Sequence, residues 1–258
     1  MSTVRLFGIP AAKARVVGII RRGPSAWCQV SRWRPDQAEV EAGAWIRGKI
    51  FPQRADVSPC GDWLVCVIHK AGGREDWRET DCWENLSRLP WLKAHRVEAS
   101  AVHQRGCRFI KGGQQPLLEP RTPNQFAVER ERGWVETAST AKRATGGALD
   151  EERSVTMVKT RPTGGRQRLF VRGAFAAFRA FDADPSEAVY MISPGGPLPG
   201  VQWADWDSSG RLLVATFAGE LQIWSGPTLC ERVTHADLSQ DRPAPGPAPA
   251  WAHPDSGG

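Results

Sequence analysis

The sequence predicts an all-β protein with little helix, and three observations support this prediction. Apolar residues come in short runs, such as WLVCVIH (63–69) and LLVATF (212–217). Gly and Pro separate the runs, and such a rhythm of strand and turn is typical of an all-β domain. No run longer than about twelve residues keeps the 3.6-residue period of an amphipathic helix. In addition, one segment with the pattern of a hairpin occurs twice.

The repeated segment is ADVSPCGDWLVCV (55–67), which recurs as ADWDSSGRLLVAT (204–216). Residues 58–61 and 207–210 each suit a type I turn, because Ser or Asp opens the turn and Gly closes it. The strand after each turn is almost continuously apolar, so both of its faces must be covered. The two copies lie about 150 positions apart, which corresponds to three intervals of roughly 50 residues.

The second copy continues into a further turn and strand. Gly219 permits a tight turn, and ELQIW (220–224) alternates and ends in Trp. Strand, turn, buried strand, turn and strand is the pattern of one four-stranded β-propeller blade, which runs about 40–50 residues. We therefore predict a small propeller of about five blades over residues 1–240, least defined at 112–166. Residues 241–258 are rich in Pro, Ala and Gly and are predicted to be a disordered tail.

These segments resemble known proteins. DVSPCGDWLVCV (56–67) and DWDSSGRLLVATFAGELQIW (205–224) resemble the blades of WD40-like β-propeller proteins. GAWIRGKI (43–50) and WENLSRLPWLKA (83–94) are similar to segments of an uncharacterised bacterial propeller-like family. The Gly-His pair that opens a WD40 blade is missing here, and Ser225 follows Trp224 where that family has Asp. The resemblance implies a rigid repeat scaffold whose loops bind other proteins.

Charge and composition describe a protein of ordinary polarity. The formal net charge is +6, from 34 basic and 28 acidic residues. The two signs are interleaved, as in VERERGW (128–134), which favours a solvated surface over a dedicated basic face. No apolar window is long enough to span a membrane, and the N-terminus has no secretory signal pattern. The six cysteines contain no CxxC pair, so we expect reduced thiols and a cytoplasmic location.

The usual chemical signatures are weak. Cys60, Cys66 and His69 suggest a metal site, but alternation along a strand points Cys66 and His69 to opposite faces. We therefore predict no metal and no cofactor. Asp56 and Asp205 resemble the paired carboxylates of glycosidases, although an Asp beside a turn also satisfies backbone N–H groups. The structural role is favoured, and we name no catalytic residue.

The strongest binding signal is CWENLSRLPWLKAHR (82–96). It contains the candidate partner-binding residues Trp83, Arg88, Trp91, Lys93 and Arg96. Trp and Arg most often anchor protein interfaces, and the same mixture stacks on single-stranded bases. The first hypothesis is a non-catalytic protein–protein interaction module, a scaffold or adaptor subunit of a bacterial multi-component system. The alternatives are a nucleic-acid-binding subunit and a glycosidase-like enzyme with a central pocket.

Overall fold

The computed structural model describes residues 4–23, 26–70, 82–99, 106–110, 117–120, 133–140, 154–164, 166–174 and 188–253. Within these ranges the regular structure is β-strand, apart from short 3-10 turns at Pro35–Gln37, Pro52–Arg54 and Ala250–Ala252. The prediction of an all-β protein is therefore confirmed.

The described strands form five antiparallel sheets that follow one another along the chain. Sheet I contains β1 (Arg5–Pro10), β2 (Val17–Arg22), β3 (Trp27–Arg34) and β4 (Glu39–Arg47). Sheet II contains β5 (Lys49–Ile50), β6 (Asp56–Val57), β7 (Trp63–His69), β8 (Cys82–Arg88) and β9 (Ala94–Ala99). Sheet III contains β10 (Cys107–Phe109) and β11 (Leu118–Pro120). Sheet IV contains β12 (Val135–Thr140), β13 (Ser154–Thr160), β14 (Arg168–Ala174), β15 (Val189–Ser193) and β16 (Gly196–Pro197). Sheet V contains β17 (Val201–Trp206), β18 (Leu212–Thr216), β19 (Glu220–Ser225) and β20 (Glu231–Asp237).

Neighbouring sheets pack face to face through separate apolar clusters. The cluster between sheets IV and V includes Met157, Leu169, Trp206 and Leu212. The cluster between sheets V and I includes Leu6, Trp33, Trp203 and Leu221. The cluster between sheets I and II includes Ile9, Val30, Leu64 and Cys66, and Val65, Leu86 and Phe109 join sheets II and III. The sheets thus pack in the order IV, V, I, II, III, with the last sheet of the chain against the first.

Both copies of the repeated segment form the predicted hairpin. In each, the Gly N–H (Gly61 or Gly210) donates to the carbonyl three residues earlier, and the Gly has a positive φ of 82° or 78°. In the second copy Oδ1 of Asp207 accepts the N–H groups of Ser209 and Arg211 at 3.0 and 2.8 Å. The turn chemistry predicted from the sequence is confirmed, because Asp is the acceptor and Gly adopts the left-handed conformation.

The two hairpins differ by one residue. Asp56 lies opposite Val65, whereas its counterpart Asp205 lies opposite Leu213. Asp62 is the extra residue between the turn and β7. Because successive side chains of a strand alternate faces, Val65 and not Leu64 is the structural counterpart of Leu213. Leu64 and Leu213 are both buried, but they face opposite sides of their own sheets.

Sheet V is fixed to sheet I by direct polar contacts. Gln202 on β17 is buried; its Oε1 accepts the N–H of Leu6 at 2.9 Å, and its Nε2 donates to the carbonyl of Val4 at 3.2 Å. Packing is equally close, since a Cβ on Gly8 would clash with the ring of Trp203. These contacts join residues nearly 200 positions apart, so sheet I and sheet V depend on each other.

A chain of ion pairs supports the same junction. Asp36, in the turn after β3, contacts Arg15 at 2.6 Å and Arg211 at 2.5 Å. Arg211 also contacts Asp207 at 2.7 Å. The hydrogen bond from Arg15, followed by that from Arg211, holds the pKa of Asp36 below its usual range. The turn of the second repeat is thus tied to the loops of sheet I.

His235 is a titratable group at this junction. Nε1 of Trp33 donates to Nδ1 of His235 at 3.2 Å, so that nitrogen must carry no proton. Burial, followed by the nearby Arg211 charge, lowers the pKa of His235 below its usual value. The unfolded chain, with a pKa of about 6.5, therefore binds the proton first as pH falls. The stability that neutral His235 contributes is fully present above the unfolded pKa and is lost as the pH falls from there toward the folded pKa.

We expect the melting temperature to fall between pH 7.5 and pH 5.5 partly through this histidine. His235→Phe should lower stability at pH 7.5, because Trp33 loses its acceptor, and should flatten the decline toward pH 5.5. His253→Phe, at the far end of the chain, is the control and should keep the wild-type slope. An unchanged slope in His235→Phe would show that another group is responsible.

The predicted tail, residues 241–258, is described as far as residue 253. This part contains no strand. It contains the turn Ala250–Ala252, in which Ala252 is fully buried. The turn is also held by a hydrogen bond, since Nε2 of His95 on β9 donates to the carbonyl of Ala252 at 3.2 Å.

Candidate functional site

A cavity of about 830 Å³ lies where the five sheets meet. Each sheet contributes to its wall. Sheet I provides the loop between β1 and β2, and the other sheets provide, among others, Asp56, Arg108, Lys159 and Asp205. The turns of both repeated hairpins stand at the cavity, through Pro59 and through Asp207 and Ser208. A concave site built from several elements of a rigid scaffold is the usual place to look for a ligand.

The two acidic residues singled out in the sequence both line this cavity, and both are held by the fold. Asp205 is 3% exposed, and its Oδ1 contacts Nζ of Lys159 at 2.5 Å and accepts the N–H of Trp206 at 2.7 Å. Oδ1 of Asp56 accepts the N–H of Val57, and its Oδ2 accepts the N–H of Phe109, each at 3.0 Å. These contacts support the structural role predicted for both carboxylates.

Other charges at the cavity are paired as well. Arg108 on β10 contacts Glu119 on β11 at 2.5 Å, and Arg15 and Asp207 belong to the ion pairs around Asp36. The described lining contains Arg15, Arg108 and Lys159 against Asp56, Glu119, Asp205 and Asp207. Neither sign dominates, so the cavity has no excess of cations for a polyanion.

The hairpin of sheet III exposes apolar side chains at this cavity. Ile110 follows β10 and lines the cavity, and its N–H donates to the carbonyl of Leu117 at 2.9 Å. The two residues are direct cross-strand neighbours, so their side chains share one face. Ile110 is 43% exposed and Leu117 is 57% exposed. Ile110 and Leu117 thus form a small exposed apolar patch, of which Ile110 lines the cavity.

The predicted partner-binding residues do not form one surface. Trp83 lies opposite Ile68 and Arg88 lies opposite Trp63, five positions apart on β8. The odd spacing points Trp83 and Arg88 to opposite faces of sheet II. Arg96 lies opposite Leu86 and shares the face of Arg88, but it pairs with Glu98 at 2.6 Å.

The remaining two predicted residues lie in the connection between β8 and β9. Trp91 is half-buried, and its Nε1 is buried without a hydrogen-bond partner in the described part of the chain. Lys93 is exposed. Of the five predicted residues, only Arg88 lines a second concave site, a groove between sheets I and II. The guanidinium carbon of Arg88 lies 4.0 Å from the ring centre of Trp63.

The groove was not predicted. It measures about 340 Å³ and is lined by Arg32, Arg34, Glu41, Asp62, Arg88 and Trp251. A local signal did exist, because Arg32 and Arg34 are two positions apart on β3 and therefore point to one face. The other lining residues come from β4, the turn before β7, β8 and the tail, which only the packing of the sheets brings together.

The six cysteines are all free thiols, and Cys28, Cys66 and Cys82 are buried. Burial, with a contribution from Glu84, raises the pKa of Cys66, and burial raises the pKa of Cys107 to about 12. Such thiols are poor nucleophiles at neutral pH. Among the described residues, no three His, Cys, Asp or Glu side chains come together as a metal site would need.

Comparison with known proteins assigns no family. No protein-family model matches this chain, and no curated protein matches it. Within the described ranges, no helix has the length and apolar character needed to cross a membrane.

Proposed function

We propose that the chain is a five-bladed β-propeller that serves as a non-catalytic protein-binding module. Five antiparallel sheets that pack in the order IV, V, I, II, III support this architecture, as does the contact of the last sheet with the first. The proposed ring requires in addition that sheet III lie beside sheet IV. The similarity of the repeated hairpins to WD40-like blades is consistent with that ring.

The observation that carries the function is the exposed side chain of Ile110 in the cavity wall, with exposed Leu117 as its cross-strand neighbour. A partner that covered these side chains would remove apolar surface from water, which is the main favourable contribution to association. The paired charges around them suit the polar rim of a protein interface. The acidic residues of the cavity are engaged in the fold, which favours binding over catalysis.

Nucleic-acid binding is the competing outcome. It depends on cations that neutralise phosphates, and its affinity falls about 10³–10⁵-fold between 50 and 200 mM salt for 6–10 contacts. Cations at the cavity are matched by acids, and Arg108 and Lys159 already have carboxylate partners. A protein partner therefore fits this site better than a polyanion.

The test compares Ile110→Asp with Val233→Asp. Val233 is 54% exposed on β20 and does not line the cavity. The partner is first captured with the wild-type chain from the native host, identified, purified and titrated. We expect Ile110→Asp to weaken its affinity about 30-fold or more, as for a central apolar anchor, and Val233→Asp to leave the affinity unchanged.

Both variants must keep the wild-type melting temperature for this comparison. Equal affinities for Ile110→Asp and Val233→Asp would contradict docking at the cavity rim. Tight binding of a single-stranded oligonucleotide that collapses with salt would replace the protein-binding proposal with the nucleic-acid one.

A further inference from the structure

The groove between sheets I and II differs in its charged residues from the cavity where the five sheets meet, which we call the central cavity. Three arginines line it: Arg32 and Arg34 from β3, and Arg88 from β8. Arg34 pairs with Glu39 and Glu41 at 2.9 and 3.3 Å. Arg88 has no ion-pair partner in the described part of the chain, and its guanidinium stacks on Trp63.

The chain's own C-terminal segment is seated on this groove. Trp251 lines the groove and is 44% exposed, whereas Ala252 beside it is fully buried. Nε2 of His95 donates to the carbonyl of Ala252 at 3.2 Å, and the ring of His95 packs edge-on against Trp63 at 4.7 Å. Within the groove, the guanidinium of Arg32 lies 5.8 Å from the ring centre of Trp251.

The segment reaches the groove through a spacer. The main chain is held at Asp241, whose carbonyl accepts a hydrogen bond from Arg21 at 2.7 Å. Residues 242–249 follow with four prolines and no strand, and residues 242–247 are exposed. A proline-rich stretch of this kind is a semi-rigid spacer with no packing of its own. The anchor at Ala252 is thus separate from the body of sheet V.

Five of the six residues that line the groove lie outside the tail. The contacts of the tail include the buried methyl group of Ala252, a hydrogen bond to its main-chain carbonyl and a cation–π contact of Trp251 near the 6 Å limit. The groove of about 340 Å³ extends beside Trp251. Nη1 of Arg32 lies 3.6 Å from Glu41, but its Nε is buried with no hydrogen-bond partner among the described residues. A longer ligand can therefore make contacts that the tail does not make.

We propose that this groove is a peptide-docking site, occupied in cis by residues 249–253 and open to a partner segment of the same chemistry. That segment carries a Trp followed by a small residue and is flanked by proline. Its Trp lies against Arg32, its small residue fills the position of Ala252, and its carbonyl accepts from His95. The proposal does not depend on the function assigned to the central cavity.

The tail acts as a competitor of such a partner. A short tether gives the tail a local concentration on the order of 1 mM, so a free peptide must bind more tightly or wait for the tail to leave. Release of the tail should therefore expose the site. Ala252→Asp should release it, because a carboxylate replaces a buried methyl group.

The experiment uses the full-length chain and a fluorescein-labelled peptide with the sequence of residues 245–253. Fluorescence anisotropy should show that Ala252→Asp binds this peptide at least 10-fold more tightly than the wild-type chain does. Ala244→Asp, an exposed position of the same spacer, is the matched control and should behave as wild type. A labelled peptide that itself carries Asp in place of Ala252 should not bind.

Two further variants make the result decisive. Adding His95→Ala to Ala252→Asp should weaken peptide binding about 10-fold, since the hydrogen bond to the carbonyl is lost. Trp251→Ala is a milder change, which replaces Ala252→Asp in this test if Ala252→Asp lowers the melting temperature. It should also bind the peptide more tightly than the wild-type chain does. Failure of both tail variants to bind the peptide, or binding that His95→Ala leaves unchanged, would overturn the proposal.

Discussion

Replacing Lys159 with Met is expected to lower the free energy of unfolding by about 3–5 kcal/mol. The substitution keeps most of the side-chain volume but removes the ammonium group that contacts Oδ1 of Asp205 at 2.5 Å. Asp205 is 3% exposed, so its carboxylate would lose its cation and keep the N–H of Trp206 as its hydrogen-bond donor. Removing one member of a buried pair costs far more than the pair itself contributes. Urea denaturation of both proteins measures the difference.

Two controls distinguish the stability lost with the ion pair from the stability lost by replacing any lysine side chain. Lys93→Met removes an exposed lysine and should change stability little. Adding Asp205→Asn to Lys159→Met removes the stranded charge and should recover a large part of the loss. If Lys159→Met and Lys93→Met cost the same, the ion pair is not a structural link between sheets IV and V.

The strands and turns of the repeated hairpins follow from local chemistry. Gly61 and Gly210 are required where φ is positive, and the apolar runs after them leave no alternative to a buried strand. The same apolar runs do not reveal the register in which each strand pairs with its neighbour. A strand that is apolar on both faces gives no signal for which residue faces which neighbour, so the extra residue Asp62 leaves no trace in the pattern. For that reason Leu64 and Leu213 align in the sequence but not in the sheets.

The candidate sites are less accessible to sequence reasoning, because they depend on the order of the sheets. The repeat placed Asp56 and Asp205 at equivalent positions, and both reach the central cavity. Trp83 and Arg88 are close in sequence, yet the alternation that separates Cys66 from His69 also separates them. Nothing local links Arg32 with Trp251, which lie more than 200 positions apart and meet only because the tail crosses sheets I and II.

Gln202→Met should lower the free energy of unfolding by about 2–4 kcal/mol, because it leaves buried backbone groups unpaired. Oε1 of Gln202 accepts from Leu6, and its Nε2 donates to the carbonyls of Val4 and Thr216. Met fills a similar volume but can replace none of these bonds. Gln37→Met, at an exposed turn, is the control and should cost little.

Hydrogen exchange shows whether this loss acts on the junction of sheets I and V. In Gln202→Met the amides of β1 and β17 should lose protection before those of β8, since the missing bonds join the first strand of the chain to the last sheet. Equal loss of protection in all sheets would mean that the junction opens only with the whole fold. Equal stability of Gln202→Met and Gln37→Met would mean that the junction rests on its apolar cluster, with Trp203 against Gly8, and not on the buried amide.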